Sequence, residues 1–240
     1  MAEVDDLLTR LAQGIVEGAH DGVPLPARMC RAAAGVLGCD GGAITLAYTR
    51  PERVTLCTTD DAALVIEEQQ DVLGQGPGPE AFDTGSYSRL EILNPDDAPD
   101  PRWPLLESAE LTGLAPLVVH ALPIGEGDQV IGVLTLHTGR AGSELDLDAA
   151  ETVTKVLAAA LAADGPTQHE AGQGPWGERA EVHQATGMVV AQLGVPEDDA
   201  LALIRAHAYS HEQSVGKSAH DVISQRLTFS ATPQQEIEST

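Results

Sequence analysis

The residue types that could contact a nucleic acid are gathered near the C-terminal end of the chain. Residues 178–229 include four histidines and four cations: His183, His207, His211, His220, Arg179, Arg205, Lys217 and Arg226. Cations pair with phosphates, while Gln184 and Thr186 can hydrogen-bond base edges and Gly187 lets a backbone approach closely. Charging of the histidines at lower pH would add to such binding. Each residue also has a plainer interpretation, since an arginine on a helix is usually a solvated charge and Gly187 can simply let helices pack closely.

A second group of candidate residues, for a small-molecule pocket, lies in the first two thirds of the chain. They are Cys57, Gly76, Phe82, His120 and His137. The glycines around Gly76 do not predict a phosphate loop, because the intervening prolines lack N–H donors and no lysine follows. We expect a tight loop that edges the pocket instead. His120 and His137 fall on two predicted strands and could face one another, which is more typical of paired core histidines than of haem or metal ligands.

Motifs for catalysis are absent from the sequence. It has no Gly-x-Ser-x-Gly, His-Glu-x-x-His, P-loop or dinucleotide-binding pattern. The acidic pairs at 60–61 and 96–97 fall in turns, where solvated carboxylates are far commoner than acid–base pairs. Three cysteines follow no zinc-binding spacing and predict reduced thiols: Cys30, Cys39 and Cys57. We therefore expect no enzymatic activity, no bound metal and no cofactor.

The chain is strongly acidic. Its 240 residues include 37 acidic and 13 basic side chains, a formal net charge of −24. Because affinity for phosphate depends on lysine and arginine, this balance argues against nonspecific nucleic-acid binding and against an anionic membrane surface. The N-terminus lacks the basic and apolar segments of a signal peptide, and no apolar stretch approaches the roughly 20 residues of a membrane span. These features predict a cytoplasmic protein.

The pattern of apolar residues predicts an α+β first domain over residues 1–163. After an N-terminal amphipathic helix, helical periods predict further helices at about 25–37, 61–71 and 146–163. Alternating β-branched runs predict two strand pairs: 42–48 with 54–58, and 116–124 with 129–137. Residues 74–104 predict loops, with short strands near 87–90 and a short helix at 103–111. Strand pairs between helices are typical of an antiparallel sheet with helices packed on it.

The rest of the chain predicts a linker, a small helical bundle and a tail. Residues 164–177 are polar and rich in Gly, Pro and Gln, which is typical of a linker. Residues 230–240 form a polar tail that we expect to be disordered. Between them, over 178–229, three apolar stripes predict helices at about 178–193, from 196, and at about 217–228. Three short helices with short loops predict one small bundle, marginal alone and steadied by its neighbour or by dimerisation.

The helices of this bundle resemble an ANTAR domain. The resemblance rests on the spacing of Ala185, Gly187 and Gly194 and on the run Ala200 to Tyr209 that contains Arg205, while Ala219 to Ile223 is similar to the last helix. Such domains bind paired hairpins in nascent RNA and act as transcription antiterminators, usually as dimers. The resemblance implies an RNA-binding role for Arg179, His183, Gln184, Ala185, Thr186, Gly187, Arg205, Tyr209, Lys217 and Arg226. Thr186 stands where the family often has lysine, and Ser218 where it usually has a buried aliphatic residue.

The first domain resembles a GAF domain of the kind paired with ANTAR modules in actinobacteria. The resemblance rests on Leu73 to Pro79, Asp83-Thr84-Gly85 and Val130 to Leu134. It implies a sensor with an antiparallel sheet, flanking helices and, in some members, a bound small molecule. The fold class expected for the whole chain is therefore α+β, a GAF-like sheet domain followed by an ANTAR-like three-helix bundle.

Three functional hypotheses follow from these features. The first is an RNA-binding antitermination regulator that acts as a homodimer, in which a ligand of the GAF-like domain biases the long helix at 146–163. The second is a signal-sensing protein-interaction module whose bundle binds another regulator, which the low basic charge and Thr186 favour. The third is a redox or haem sensor that uses Cys57 or a histidine. The sequence does not identify the ligand or the RNA target.

Overall fold

The computed structural model describes residues 2–19, 21–47, 53–106, 109–125, 129–163 and 175–230, without the side chains of 2, 3, 109, 110, 163 and 175–179. The described helices are α1 (Ala2–Val16), α2 (Leu25–Leu37), α3 (Asp61–Leu73), α4 (Pro77–Thr84), α5 (Ala109–Thr112), α6 (Leu147–Ala163), α7 (Pro175–Leu193), α8 (Glu197–Ser210) and α9 (Val215–Ile223). The described strands are β1 (Gly41–Leu46), β2 (Val54–Thr58), β3 (Ser88–Ile92), β4 (Leu117–Ile124) and β5 (Gly132–Thr138). Most of the predicted linker, 164–174, and of the predicted tail, 231–240, lies outside the described residues.

The five strands form one sheet in the order β2-β1-β5-β4-β3, and every neighbouring pair is antiparallel. Both predicted strand pairs are present, since β1 pairs with β2 and β4 pairs with β5. β1 also pairs with β5, which joins the two hairpins at the centre of the sheet. The predicted α+β class, with an antiparallel sheet and flanking helices, is confirmed.

Helices cover both faces of this sheet. On one face, α1, α2 and α6 bury Ile44, Leu134 and Leu136 against an apolar layer that includes Leu157. On the other face, α3, α4 and α5 cover Val119 and its neighbours on β3. A fully buried leucine or isoleucine contributes roughly 1.5–3 kcal/mol relative to an exposed one. The two layers therefore hold the sheet in place between them.

The loop-rich prediction for residues 74–104 is wrong at α4, which is helical from Pro77 to Thr84. Gly76 precedes this helix with φ of 133°, a conformation open to glycine, and Pro77 occupies the first helical position. The first N–H groups of a helix have no partner within the helix, so proline, which has no N–H, fits there without loss. The residues that favoured a loop thus begin a helix.

The C-terminal helices α7, α8 and α9 pack around their own apolar core. Its fully buried residues include Ala185, Val189, Ile204 and Val222. Ser218 is also fully buried, and its hydroxyl accepts a hydrogen bond from Gln213 Nε2 at 2.8 Å. A buried hydroxyl with a partner avoids the cost of an unpaired polar group. The serine that replaces the usual aliphatic residue is therefore accommodated in the bundle.

The third helix of the bundle is shorter than predicted and begins earlier. It spans Val215–Ile223, because the Ser214 side chain accepts a hydrogen bond from the N–H of Lys217 and caps it. Gln225 then turns the chain with φ of 58°.

Among the described helices, none combines the length and apolar character needed to cross a membrane.

Candidate functional site

The outer surface of α7 carries three of the predicted RNA-binding residues. His183, Gln184 and Gly187 are all exposed and lie within about one turn of one another. A side chain added at Gly187 would meet no atom within 4 Å. Gly187 therefore does not serve close helix packing, and it leaves a stretch of backbone open to a ligand.

Two predicted contacts on the same helix are placed differently. Ala185 and Thr186 are fully buried in the bundle. The Thr186 hydroxyl donates a hydrogen bond to the carbonyl of Val182 at 2.8 Å, one turn earlier in the helix. The expectation that Thr186 hydrogen-bonds base edges is therefore corrected: its side chain belongs to the interior of the bundle. The Ala185 side chain likewise packs in the core of the bundle and is not on its surface.

Two predicted cations on or just after α9 share one carboxylate. Lys217 Nζ lies 2.9 Å from Asp221 Oδ2, and Arg226 lies 2.8 Å from Asp221 Oδ1. Hydrogen bonds from Lys217 and Arg226 hold the pKa of Asp221 below its usual range. Both cations remain more than half exposed. They can still reach phosphates, although part of their charge is balanced locally.

Aromatic and imidazole groups lie at the C-terminal end of α8. Tyr209 is 60% exposed and presents a ring on which a base could stack. His207 stacks on His211 with ring centroids 3.9 Å apart. Desolvation, followed by the His211 charge, lowers the pKa of His207. His207 therefore gains a proton only at lower pH than an ordinary histidine.

Arg179 lies on α7, but its side chain is outside the described residues.

Arg205 does not face open solvent. Its guanidinium lies 3.5 Å from Asp71 of α3, and its side chain is 21% exposed. Its Nε atom is buried without a hydrogen-bond partner among the described residues. This predicted RNA-binding arginine is thus turned toward the first domain.

The five residues predicted for a ligand pocket are divided between the two faces of the sheet. His137 pairs with Val119 across the strands and His120 pairs with Leu136, so the two histidines point to opposite faces. Cys57 pairs with Ile44 and lies on the α2 face with His120. Gly76, Phe82 and His137 lie on the α3–α4 side. The expectation of two facing histidines is therefore corrected, because their strand register separates them.

The buried His120 is held by one aromatic partner. Its Nδ1 lies 2.7 Å from the Tyr87 hydroxyl, while Nε2 has no partner among the described residues. Desolvation lowers the pKa of His120 to about 4, so the ring is neutral at neutral pH. On the same face, a hydrogen bond from the Cys30 thiol to Cys57, together with burial, raises the pKa of Cys30 well above its ordinary value. A protonated buried thiol is a poor nucleophile.

His137 is tied to the start of α3. Its Nε2 lies 3.0 Å from Oδ1 of Asp60, and the same oxygen accepts a hydrogen bond from the N–H of Ala63 at 2.8 Å. Partial burial alone would raise the pKa of Asp60, but the Ala63 N–H and His137 lower it overall. This arrangement caps α3 and ties its start to the end of the central strand β5.

Sequence reasoning missed a polar network between α3 and the sheet. Glu67 is buried, accepts a hydrogen bond from Thr45 of β1 at 2.7 Å, and pairs with Arg53 at 2.8 Å. Arg53 also pairs with Asp71 at 3.0 Å. The side-chain amide oxygen of Gln70 accepts a hydrogen bond from the N–H of Gly78 at 2.7 Å, which links α3 to α4. Glu67 and Gln70 sit at helical spacing from the buried Ala63, and that position on the apolar stripe was the available signal.

The network continues to the boundary between the two domains. α3 lies against α8 and α9, and α7 lies against β2. A cavity of about 130 Å³ opens at this boundary. Its lining comes from both domains: Arg53, Thr55, Leu64, Glu67, Glu68 and Asp71 from the first, and Val182, Ser214, Val215 and Gly216 from the second.

Comparison with known protein families assigns both parts of the chain. The GAF domain family matches residues 27–162, which is more than half of the chain. The ANTAR domain family matches residues 177–223, which cover α7, α8 and α9 almost completely. Searches of curated proteins and of solved structures returned no match. The chain therefore belongs to the GAF domain family and carries an ANTAR domain on its C-terminal side.

Proposed function

We propose that this protein is an RNA-binding regulator of transcription antitermination whose GAF domain senses a signal. ANTAR domains are RNA-binding antitermination modules, GAF domains are sensing domains, and neither is catalytic. The observation that carries the proposal is the ANTAR match over a bundle that leaves Gln184 and the backbone at Gly187 open to solvent.

The exposed residues of the bundle offer the kinds of contact that a hairpin loop requires, without a large positive charge. Splayed bases are bound by hydrogen bonds and by stacking as well as by charge. Gln184 supplies a donor and an acceptor, Tyr209 supplies a ring, and Lys217 with Arg226 supplies cations. Few cations predict a shallow dependence of affinity on salt. One bundle with so few contacts also favours paired modules, in which two bundles of a homodimer each bind one hairpin.

The test is a binding titration of the full chain with an RNA that carries two adjacent short hairpins. The expected result is binding that requires both hairpins and weakens in Gln184→Ala. Gln13→Ala is the matched control, because Gln13 is exposed on α1 far along the chain from the bundle. A folded protein that binds neither one nor two hairpins at any salt concentration would contradict the proposal.

A second function is favoured by one specific observation. The bundle already binds a protein surface in this structure, since its α8 lies against α3 of the GAF domain through Arg205 and Asp71. A bundle of this kind can also bind another regulator in place of RNA. Isolation of a stoichiometric complex with a protein partner, together with no RNA binding by the folded chain, would favour this alternative.

A further inference from the structure

The contact between Arg205 and α3 resembles the contact of an arginine with a phosphate. The Arg205 guanidinium lies 3.5 Å from the Asp71 carboxylate. It also lies beside the C-terminal end of α3, where a side chain at Gly74 would be 3.7 Å from Arg205 Nη1. The C-terminal end of a helix carries partial negative charge. A carboxylate and a helix terminus together present the negative charge that an RNA phosphate would present.

We infer that this surface of α3, defined by Asp71, Val72 and Gly74, competes with RNA for the ANTAR bundle, so that the arrangement seen here is the masked state. The inference rests on the proposed RNA-binding function. Arg205 is the one arginine of α8, which has no lysine. While it is docked on α3, its charge is not available to an RNA phosphate. RNA binding at full affinity then requires the bundle to separate from α3.

The docked contact has the properties of a reversible one. The ion pair between Arg205 and Asp71 is long, and Arg205 Nε has no hydrogen-bond partner among the described residues. The boundary beside it contains a cavity of about 130 Å³, so the two domains do not pack tightly there. An apolar contact adds to the docking, because Val72 packs against the core of the bundle. A bidentate phosphate contact would satisfy Arg205 better than this pair does.

The same carboxylate is connected to the interior of the sensor. Asp71 pairs with Arg53, and Arg53 pairs with the buried Glu67. Glu67 in turn accepts a hydrogen bond from Thr45 on the interior strand β1. A ligand that displaces Glu67 from β1 would therefore move the groups that hold Asp71 against Arg205. This path gives the sensor a physical route to the bundle.

The test compares three variants of the full chain. Asp71→Asn removes the carboxylate, and Val72→Ala weakens the apolar contact without changing the charge. Asp61→Asn is the control, since Asp61 is exposed in the first turn of the same helix and its replacement changes the net charge equally. Each protein is measured for amide hydrogen exchange in α3 and α8 and for affinity toward the two-hairpin RNA.

We expect faster exchange in α3 and α8 for Asp71→Asn and Val72→Ala, with RNA affinity raised at least about fivefold, the lower end of ordinary coupling between sites. Asp61→Asn should match the wild type in both measurements. Unchanged exchange in both test variants would overturn the inference. Faster exchange with unchanged RNA affinity would also overturn it. In either case, RNA binding by the wild type would leave the proposed function standing. Absence of RNA binding in every protein, with folding intact, would overturn the proposed function and the inference together.

Discussion

Replacement of Gly187 by alanine separates a structural role of this glycine from a role in binding. Gly187 lies well inside α7 and has an ordinary helical backbone, and an added methyl group would meet no atom within 4 Å. Glycine in a helix costs roughly 0.5–1 kcal/mol relative to alanine because it loses more backbone freedom on folding. We therefore expect Gly187→Ala to stabilise the bundle by about 0.5–1 kcal/mol.

The same substitution should weaken RNA binding. If an RNA backbone or base lies against the exposed backbone of α7, the new methyl group occupies part of its place. Overpacking by one methyl group costs roughly 1–3 kcal/mol, which corresponds to about a 5- to 150-fold loss of affinity. A variant that is more stable and yet binds less tightly cannot be explained by damage to the fold.

The assay is urea unfolding of the full chain beside titration with the two-hairpin RNA. Gly35→Ala is the matched control, since Gly35 lies in α2 and an added methyl group there also meets no atom within 4 Å. It should stabilise the GAF domain and leave RNA affinity unchanged. A loss of stability in Gly187→Ala would refute the view that this glycine is free of packing contacts. Unchanged RNA affinity would refute its place in the binding surface.

Three further predictions concern buried groups. Thr186→Val keeps the shape of the side chain but removes its hydrogen bond to Val182, so urea unfolding should show a loss of about 1 kcal/mol with RNA affinity unchanged; a large loss of affinity would restore Thr186 to the binding surface. Burial depresses the pKa of His120 to about 4, so that below about pH 6.5 the unfolded chain binds a proton that the folded chain does not. The free energy of unfolding should therefore fall by up to about 1.4 kcal/mol per pH unit as pH drops from about 6.5 toward 4. Unfolding of His120→Gln between pH 7 and 5 should show a shallower fall, and an unchanged slope would contradict this assignment. Glu67→Gln leaves the buried Arg53 with less compensation and should destabilise the GAF domain by about 2–4 kcal/mol in the same assay, whereas a neutral effect would show that the network does not hold α3 to the sheet.

Local sequence signals predicted the elements that are defined by their own residues. The bounds of α2 follow from a proline at its start and a glycine at its end, and those of β2 from a β-branched run between turns. Local signals failed where a helix cap or a contact with a distant residue decides the structure. Gly76 and Pro77 favour a loop when considered alone, yet together they begin α4. Ser214 moves the start of α9 earlier than its apolar stripe indicates.

The candidate site was less accessible to sequence reasoning than the fold. Strand register separates His120 from His137, and no feature of either strand alone reveals that register. Thr186 lies four residues after Val182 and three before the buried Val189, a spacing that places it on the inner face of α7. The family resemblance nevertheless favoured a surface role for it. The docking of Arg205 on Asp71 joins residues 134 positions apart in the chain, and such contacts are set by tertiary packing.

The most direct test of the central claim is transcription by purified polymerase through a leader that encodes two adjacent hairpins followed by a terminator. Addition of the full chain should increase read-through, and Gln184→Ala should increase it less. A leader with one hairpin deleted should not respond. Unchanged termination at protein concentrations that saturate the two-hairpin RNA would contradict the assignment of antitermination to this protein.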